Sequence, residues 1–162
     1  MALPRFYFIP NEDLLEILGT SDAQAIQPHL QKLYDNCEAL TFGQGGKIIS
    51  HMVSEEGEDF EFEIPVKPEN NIEEWMFRVE DEMKRTLHVH AKKGVFHYAK
   101  EERIDWIKQQ LGMIALVGSQ IWWSFAIEDV FDRINNKFEP KAMKQELAKE
   151  NGELNDLIGL VR

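Results

Sequence analysis

The histidines come closest to a metal site. His88 and His90 lie two apart and His97 follows seven residues later. The apolar period leading into them is helical, and residues two apart on a helix point to nearly opposite faces. Zinc pairs on a helix need i,i+4 spacing, so these side chains are expected to be solvated or packed rather than ligating. Gly43-Gln44-Gly45-Gly46-Lys47 is the one glycine-rich loop followed by a lysine. A phosphate loop needs a longer glycine span, Ser or Thr after the lysine, and a helix that aims its first N–H groups at the anion. Here Ile48-Ile49 follows and reads as strand, so the loop is expected to be a turn entering a hairpin. Cys37 would act as a nucleophile only with a histidine beside it in space, and its place on an apolar stripe makes it a small core residue. Trp122 and Trp123 diverge by about 100° on a helix, which points one into a core and leaves the other for a surface. Carboxylates are everywhere, so a hydrolase built on them with His51 or His97 is the weakest reading. No catalytic, cofactor-binding or metal site is expected in these residues.

The elements that would hold these groups follow from hydrophobic period. Phe6-Tyr7-Phe8 reads as a buried, strand-like segment, followed by Asn11 as cap of a short helix that ends at Gly19. Over residues 22–38 the apolar positions Ile26, Leu30, Leu33, Tyr34 and Cys37 fall three and four apart, which predicts an amphipathic helix, with Pro28 tolerated only near its start or at a kink. Beyond Gly46 the period changes to two. Phe60, Phe62, Ile64 and Val66 alternate with Glu61, Glu63 and Pro65, giving a strand with one apolar face. Its partner is Lys47–Ser54, joined through Glu55-Glu56-Gly57-Glu58. A long helix is expected from about Ile72 to His90 with Ile72, Trp75, Met76, Val79, Met83 and Leu87 inward. The i,i+4 pairs Glu74/Arg78, Glu80/Lys84 and Asp81/Arg85 lie on its surface. Glu101–Gln110 gives a shorter helix carrying Ile104, Trp106 and Ile107. Another long helix runs on through Val130, Phe131 and Ile134. Pro140 opens the last helix, with Met143, Leu147, Leu154, Leu157 and Val161 inward. The predicted fold is mainly α: an elongated helical bundle with one inserted antiparallel β-hairpin. Its organisation is an N-terminal aromatic segment with short helices over 1–42, the hairpin over 43–68 and a long-helix bundle over 70–162.

Composition narrows the function classes. The 162 residues carry 18 Lys+Arg against 29 Asp+Glu, a net charge of −11. So acidic a chain repels phosphate backbones, which excludes nucleic acid as an expected partner. The single cysteine suits a reducing compartment, and Met1-Ala2-Leu3-Pro4-Arg5 lacks the apolar core of a signal peptide. The stretch from Gln109 to Ile127 is free of charge and reaches spanning length. It is dotted with Gln, Gly and Ser, however, and reads as a helix central to a soluble bundle rather than a membrane span.

The wording of several segments adds a resemblance. Arg5-Phe6-Tyr7-Phe8 with Asp13-Leu14-Leu15-Glu16-Ile17-Leu18 resembles the opening signature of the dynein heavy-chain linker. Gln27-Pro28-His29-Leu30-Gln31-Lys32 before Tyr34-Asp35-Asn36 is similar to a run in axonemal heavy chains. Ser54-Glu55-Glu56-Gly57-Glu58, Glu73-Glu74-Trp75 with Val79-Glu80-Asp81-Glu82-Met83, Ser119-Gln120-Ile121-Trp122-Trp123 and Leu157-Ile158-Gly159-Leu160-Val161-Arg162 resemble later markers of that family, in family order. The resemblance implies a non-catalytic lever segment that crosses the AAA+ ring of its own heavy chain and straightens in the power stroke. It implies ATP and magnesium in that ring and none in this segment. Microtubules would be reached only through the parent protein, in the cytoskeleton of the cilium or flagellum axoneme. It also implies an excised fragment, because the family continues with further helix. Phe6, Phe8, Trp75 and Trp122 are the expected structural core residues, and Glu55, Glu56 and Glu58 the expected ring-docking residues. The alternative is a free-standing helical adaptor that grips a partner helix with Phe6-Tyr7-Phe8 or the tryptophans.

Overall fold

Pro4, with its fixed φ, starts the first ordered turn, and that turn is a 3-10 helix over Pro4–Phe8 rather than a strand. The structure, a computed structural model, describes residues 3–161. With three residues per turn, only one of three consecutive aromatics can face inward. Phe6 is fully buried, whereas Tyr7 and Phe8 are 75% and 74% exposed, so Phe8 is not the core residue that the sequence suggested. Helix α1 spans Asn11–Gly19, with Pro10 at the cap and no side-chain capping bond. Asn11 is thus the first helical residue instead of the cap.

Residues 22–38 also depart from one helix. A 3-10 stretch, Ala23–His29, contains Pro28, and only Leu30–Leu33 forms an α-turn, α2. The proline removes a donor and shortens the helix. The apolar face survives this change, because Ile26, Leu30, Leu33, Tyr34 and Cys37 are all buried.

Three antiparallel strands follow in the order β1 (Ala39–Gly43), β2 (Ile48–Val53) and β3 (Asp59–Val66). The predicted β2–β3 hairpin is present, and β1 adds a third strand on its far side. Gln44, Gly45 and Gly46 turn β1 into β2 with φ of 51°, 67° and 88°. Successive left-handed residues explain why glycine is spent there. In β3 the register against β2 jumps from His51↔Glu61 to Ile49↔Val66. This bulge breaks the alternation, so Phe60, Phe62 and Val66 are buried while Ile64 is 56% exposed.

Helix α3 runs from Ile72 to Tyr98, a full two turns beyond the expected end. Trp75, Met76, Val79 and Met83 are buried as expected. Of the three surface pairs, Glu80–Lys84 forms at 2.6 Å. Arg78 instead donates to the carbonyls of Lys67 and Glu69, and Arg85 to Glu82. The chain divides within α3 into two compact units, Met1–His88 and Val89–Arg162.

In the second unit α4 (Arg103–Gln109), α5 (Gly112–Asn136) and α6 (Ala142–Val161) follow the end of α3. Their burial departs from the sequence reading. Apart from Gly94 and Gly118, the buried residues described in this unit are Trp106, Ile114, Val130 and Ala142. Met143, Leu147, Leu154 and Val161, expected inward, are 41%, 60%, 54% and 89% exposed, and Phe131 is 52% exposed. Leu157 is half-buried, and Arg162 lies outside the described residues. Period identifies the apolar face of a helix but does not say that a partner for it lies within these residues. No described helix is long and apolar enough to cross a membrane.

Candidate functional site

The polar side chains of the first unit are spent on backbone that the secondary structure leaves unpaired. Arg5, held by the Pro4–Phe8 turn, donates from Nη1 to the Leu33 carbonyl at 2.9 Å and from Nε to Glu80 at 3.1 Å, while its guanidinium lies 4.9 Å from the centre of the Tyr34 ring. One residue thus ties the N-terminal turn to the end of α2 and to α3. Burial raises the Glu80 carboxyl, but the hydrogen bonds and charges of Lys84 and Arg5 outweigh it and hold the pKa below the usual value. Burial also pushes the Tyr34 hydroxyl well above its ordinary value, and the Cys37 thiol up to about 11, which leaves Cys37 protonated and a poor nucleophile.

Gln27 performs a second such task. Its amide nitrogen donates to the Leu40 carbonyl at 2.6 Å, and its amide oxygen accepts from the Leu40 N–H at 3.0 Å. The side chain pairs with β1 as a neighbouring strand would, and so blunts that edge. A third clamp closes the β3 bulge. The N–H of Ile64 donates to Glu82 at 2.8 Å and that of Glu63 to Thr86 at 3.1 Å. The Thr86 hydroxyl in turn donates to Glu82 at 3.3 Å, and Arg85 adds a bond at 2.8 Å. Glu82 and Thr86 are buried, so these bonds meet needs that water cannot.

Glu55, Glu56 and Glu58 stand at the turn from β2 to β3. The turn is fixed by the Ser54 N–H to the Glu58 carbonyl at 2.8 Å, the Gly57 N–H to the Ser54 carbonyl at 2.9 Å and the Glu55 N–H to Asn36 at 3.1 Å. Glu55 and Glu56 are exposed and Glu58 is half-buried. Hydrogen bonds from its own backbone N–H and from Asn36 lower the Glu56 pKa. The tip is an acidic knob held by these bonds, with Asp59, Glu61 and Glu63 exposed along the adjoining strand.

In the second unit an aromatic joint does the positioning. Trp106 is fully buried and its indole N–H donates to the Gly94 carbonyl at 2.8 Å. Trp122 donates to the Val95 carbonyl at 2.9 Å. Tyr98 meets Trp106 edge-on at 4.9 Å and stacks on Trp122 at 5.4 Å. Trp123 is 55% exposed and Trp122 half-buried, so Trp122 is not the fully buried core residue that the sequence suggested. Gly118 exists for Trp106, because a Cβ there would sit 2.8 Å from the indole. Arg103 pairs with Glu153, and more loosely with Glu150 at 3.9 Å. Sequence reasoning named Trp75 and Trp122 as structural and passed over Trp106, Arg5, Gln27 and Glu82. Gln27 and Arg5 lie in the Gln27–Lys32 and Arg5–Phe8 runs, but their polar tips carry no periodic signal.

Among the described residues no group of three or more His, Cys, Asp or Glu side chains is gathered so as to hold a metal ion. His88 is exposed and His90 half-buried on α3, and His97 lies 3.9 Å from Glu101. Gly43–Lys47 forms the β1–β2 turn, with the N–H groups of Gly46 and Lys47 bonded to the Gly43 carbonyl.

Clamps on loose backbone, an aromatic joint and an acidic tip are the built features of the described residues. The family of the chain follows from comparison. The family model "Dynein heavy chain, N-terminal region 2" matches residues 1–94. The chain is 51% identical over 161 residues to the dynein-1-alpha heavy chain of the flagellar inner arm I1 complex of Chlamydomonas reinhardtii. It is 40% identical to dynein axonemal heavy chain 10 of Homo sapiens and 34% identical to the ciliary dynein beta chain of Tripneustes gratilla. These alignments cover 99%, 97% and 99% of the chain and 4% of each relative. The chain belongs to the dynein heavy-chain family.

Proposed function

We propose that the chain is a segment of the linker of an axonemal dynein heavy chain, the lever that moves across the AAA+ ring of the same polypeptide to drive microtubule-based ciliary motility. The observation that carries this reading is the clamp set of the first unit. Backbone at a 3-10 turn, a sheet edge and a bulge is where a loaded element would open first. In this chain Arg5, Gln27, Glu82 and Thr86 lock those places with side-chain bonds. The segment is non-catalytic and takes no cofactor; ATP and magnesium belong to the ring, and microtubules to other parts of the parent chain. Its site of action is the axoneme of the cilium or flagellum. Glu55, Glu56 and Glu58 dock transiently on basic loops of the ring. Such exposed pairs give about 0–1 kcal/mol each and are screened beyond about 8–10 Å, so the contact is made and broken in each cycle.

A distance measurement in the full heavy chain tests the lever. A fluorophore on this segment and a second on the ring should report a change of distance between the nucleotide-free and ATP-bound motor. A distance that stays constant through the cycle contradicts the proposal.

A further inference from the structure

Asn151-Gly152 is the one place in the chain where an asparagine precedes a glycine. It lies in α6, whose one buried residue is Ala142, at the first position of the helix. We propose that Asn151 is a site of spontaneous deamidation and isoaspartate formation, gated by local opening of α6. The inference is independent of the lever reading.

The chemistry needs no catalyst and no cofactor. The backbone nitrogen of Gly152 attacks the side-chain carbonyl carbon of Asn151 and gives up its proton. The side-chain nitrogen takes a proton and leaves as ammonia, and a five-membered succinimide ring remains. Water opens that ring at either carbonyl, which yields aspartate or isoaspartate. Glycine in the second position speeds the attack, because without a Cβ its nitrogen approaches unhindered and its backbone turns freely. Every other asparagine of the chain is followed by a residue with a side chain. Both Asn151 and Gly152 are exposed, and a Cβ built at Gly152 would meet no heavy atom within 4 Å. The ring and its attacking water therefore have room.

Helix geometry is the gate. In the closed helix the Gly152 N–H is committed to the carbonyl four residues back, and its nitrogen is turned away from the Asn151 side chain. The reaction proceeds from the open form, at a rate set by how often α6 opens. What holds α6 closed is slight. A helix owes its stability in water to a packed face more than to propensity, yet beyond Ala142 every described residue of α6 is half-buried or exposed. Gly152 and Gly159 lower its propensity further. Lys149 pairs with Glu146 at 3.2 Å and with Glu153 at 3.7 Å, but its side chain stands largely in water, where such pairs contribute little. Isoaspartate inserts a methylene into the main chain and throws the backbone bonds of the helix out of step. Conversion therefore weakens the second half of α6.

The test incubates the full 162-residue chain at mildly alkaline pH and maps the products by peptide mass spectrometry, with isoaspartate counted by enzymatic methylation. Aspartate and isoaspartate should accumulate at position 151 faster than at any other asparagine. Gly152→Ala hinders the attack and strengthens the helix, and should slow conversion on the order of tenfold. Gly159→Ala leaves the reacting pair intact and has no heavy atom within 4 Å of a built Cβ. It should slow conversion about two- to fivefold through helix stability alone. Faster conversion at Asn70, Asn71 or any other asparagine, an unchanged rate in Gly152→Ala, or an unchanged rate in Gly159→Ala would each overturn the proposal.

Discussion

The two units of this chain solve burial in opposite ways. In the first, short and irregular elements enclose a dense core: Phe6, Ile17, Ile26, Leu30, Cys37, Ile49, Met76 and Val79 are all fully buried. In the second, three regular helices hang on one fully buried indole, Trp106, and the eleven residues between the buried Gly118 and Val130 are all half-buried or exposed. Regular secondary structure is therefore no measure of completeness. The first unit spends its polar side chains on backbone bonds because its elements are too short to satisfy themselves. The second needs few such bonds, since long helices pair their own backbone, but lacks the apolar cover that long helices require.

The sharpest way to break this comparison is to remove each unit's tryptophan. Trp106→Ala should cost about 3–5 kcal/mol, the usual penalty for truncating a buried aromatic, and it also strips the Gly94 carbonyl of its partner. The loss should appear as faster amide exchange in α4, α5 and α6, with β1–β3 unaffected. Trp75→Ala, at 3% exposure, should cost a similar amount and loosen α3 and the sheet. A change below about 1 kcal/mol at Trp106 would mean that the second unit has no single anchor.

Two glycines sharpen the same point with opposite signs. Gly118→Ala drives a methyl into the rigid Trp106 ring at 2.8 Å and should destabilise by about 1–3 kcal/mol. Gly152 has no heavy atom within 4 Å of a built Cβ, so Gly152→Ala in α6 should stabilise by about 0.5–1 kcal/mol through helix propensity. Thermal denaturation of the two variants decides both.

Acid should loosen the Arg5–Glu80 clamp of the first unit. The pKa of Glu80 is depressed in the fold, so its contribution is present above the unfolded carboxylate value, about 4.3. That contribution is lost as pH falls through the lower folded value. Glu80→Gln should flatten the stability profile in that acid window and leave the profile unchanged above it. The smallest effect belongs to the tip. Reversing Glu55, Glu56 and Glu58 to Lys in a full motor should slow microtubule gliding at low ionic strength while leaving ATP affinity intact, and unchanged gliding would reduce these residues to solubilising charge.

Much of the first unit was legible in the sequence, since apolar residues at helical or strand period are buried whichever exact element carries them. Ile26, Leu30, Leu33, Tyr34 and Cys37 reach the core although a 3-10 stretch replaces the first half of the predicted helix. Phe8 and Ile64 misled because a three-residue turn and a bulge reset the face, and both depend on tertiary contacts. The Gln27, Glu82 and Thr86 clamps were illegible because a single polar residue has no period. On α6 the stripe expected inward is largely exposed, because period marks an apolar face and not what covers it.

Amide hydrogen exchange of the 162-residue chain, set beside the same residues in the intact heavy chain, tests the contrast between the units most directly. The account predicts that β1–β3 and the start of α3 exchange alike in both, and that α5 and α6, whose large apolar side chains such as Leu116, Trp123, Leu147 and Leu154 are exposed in this chain, exchange markedly more slowly in the heavy chain. Equal exchange of α5 and α6 in the two samples would contradict it.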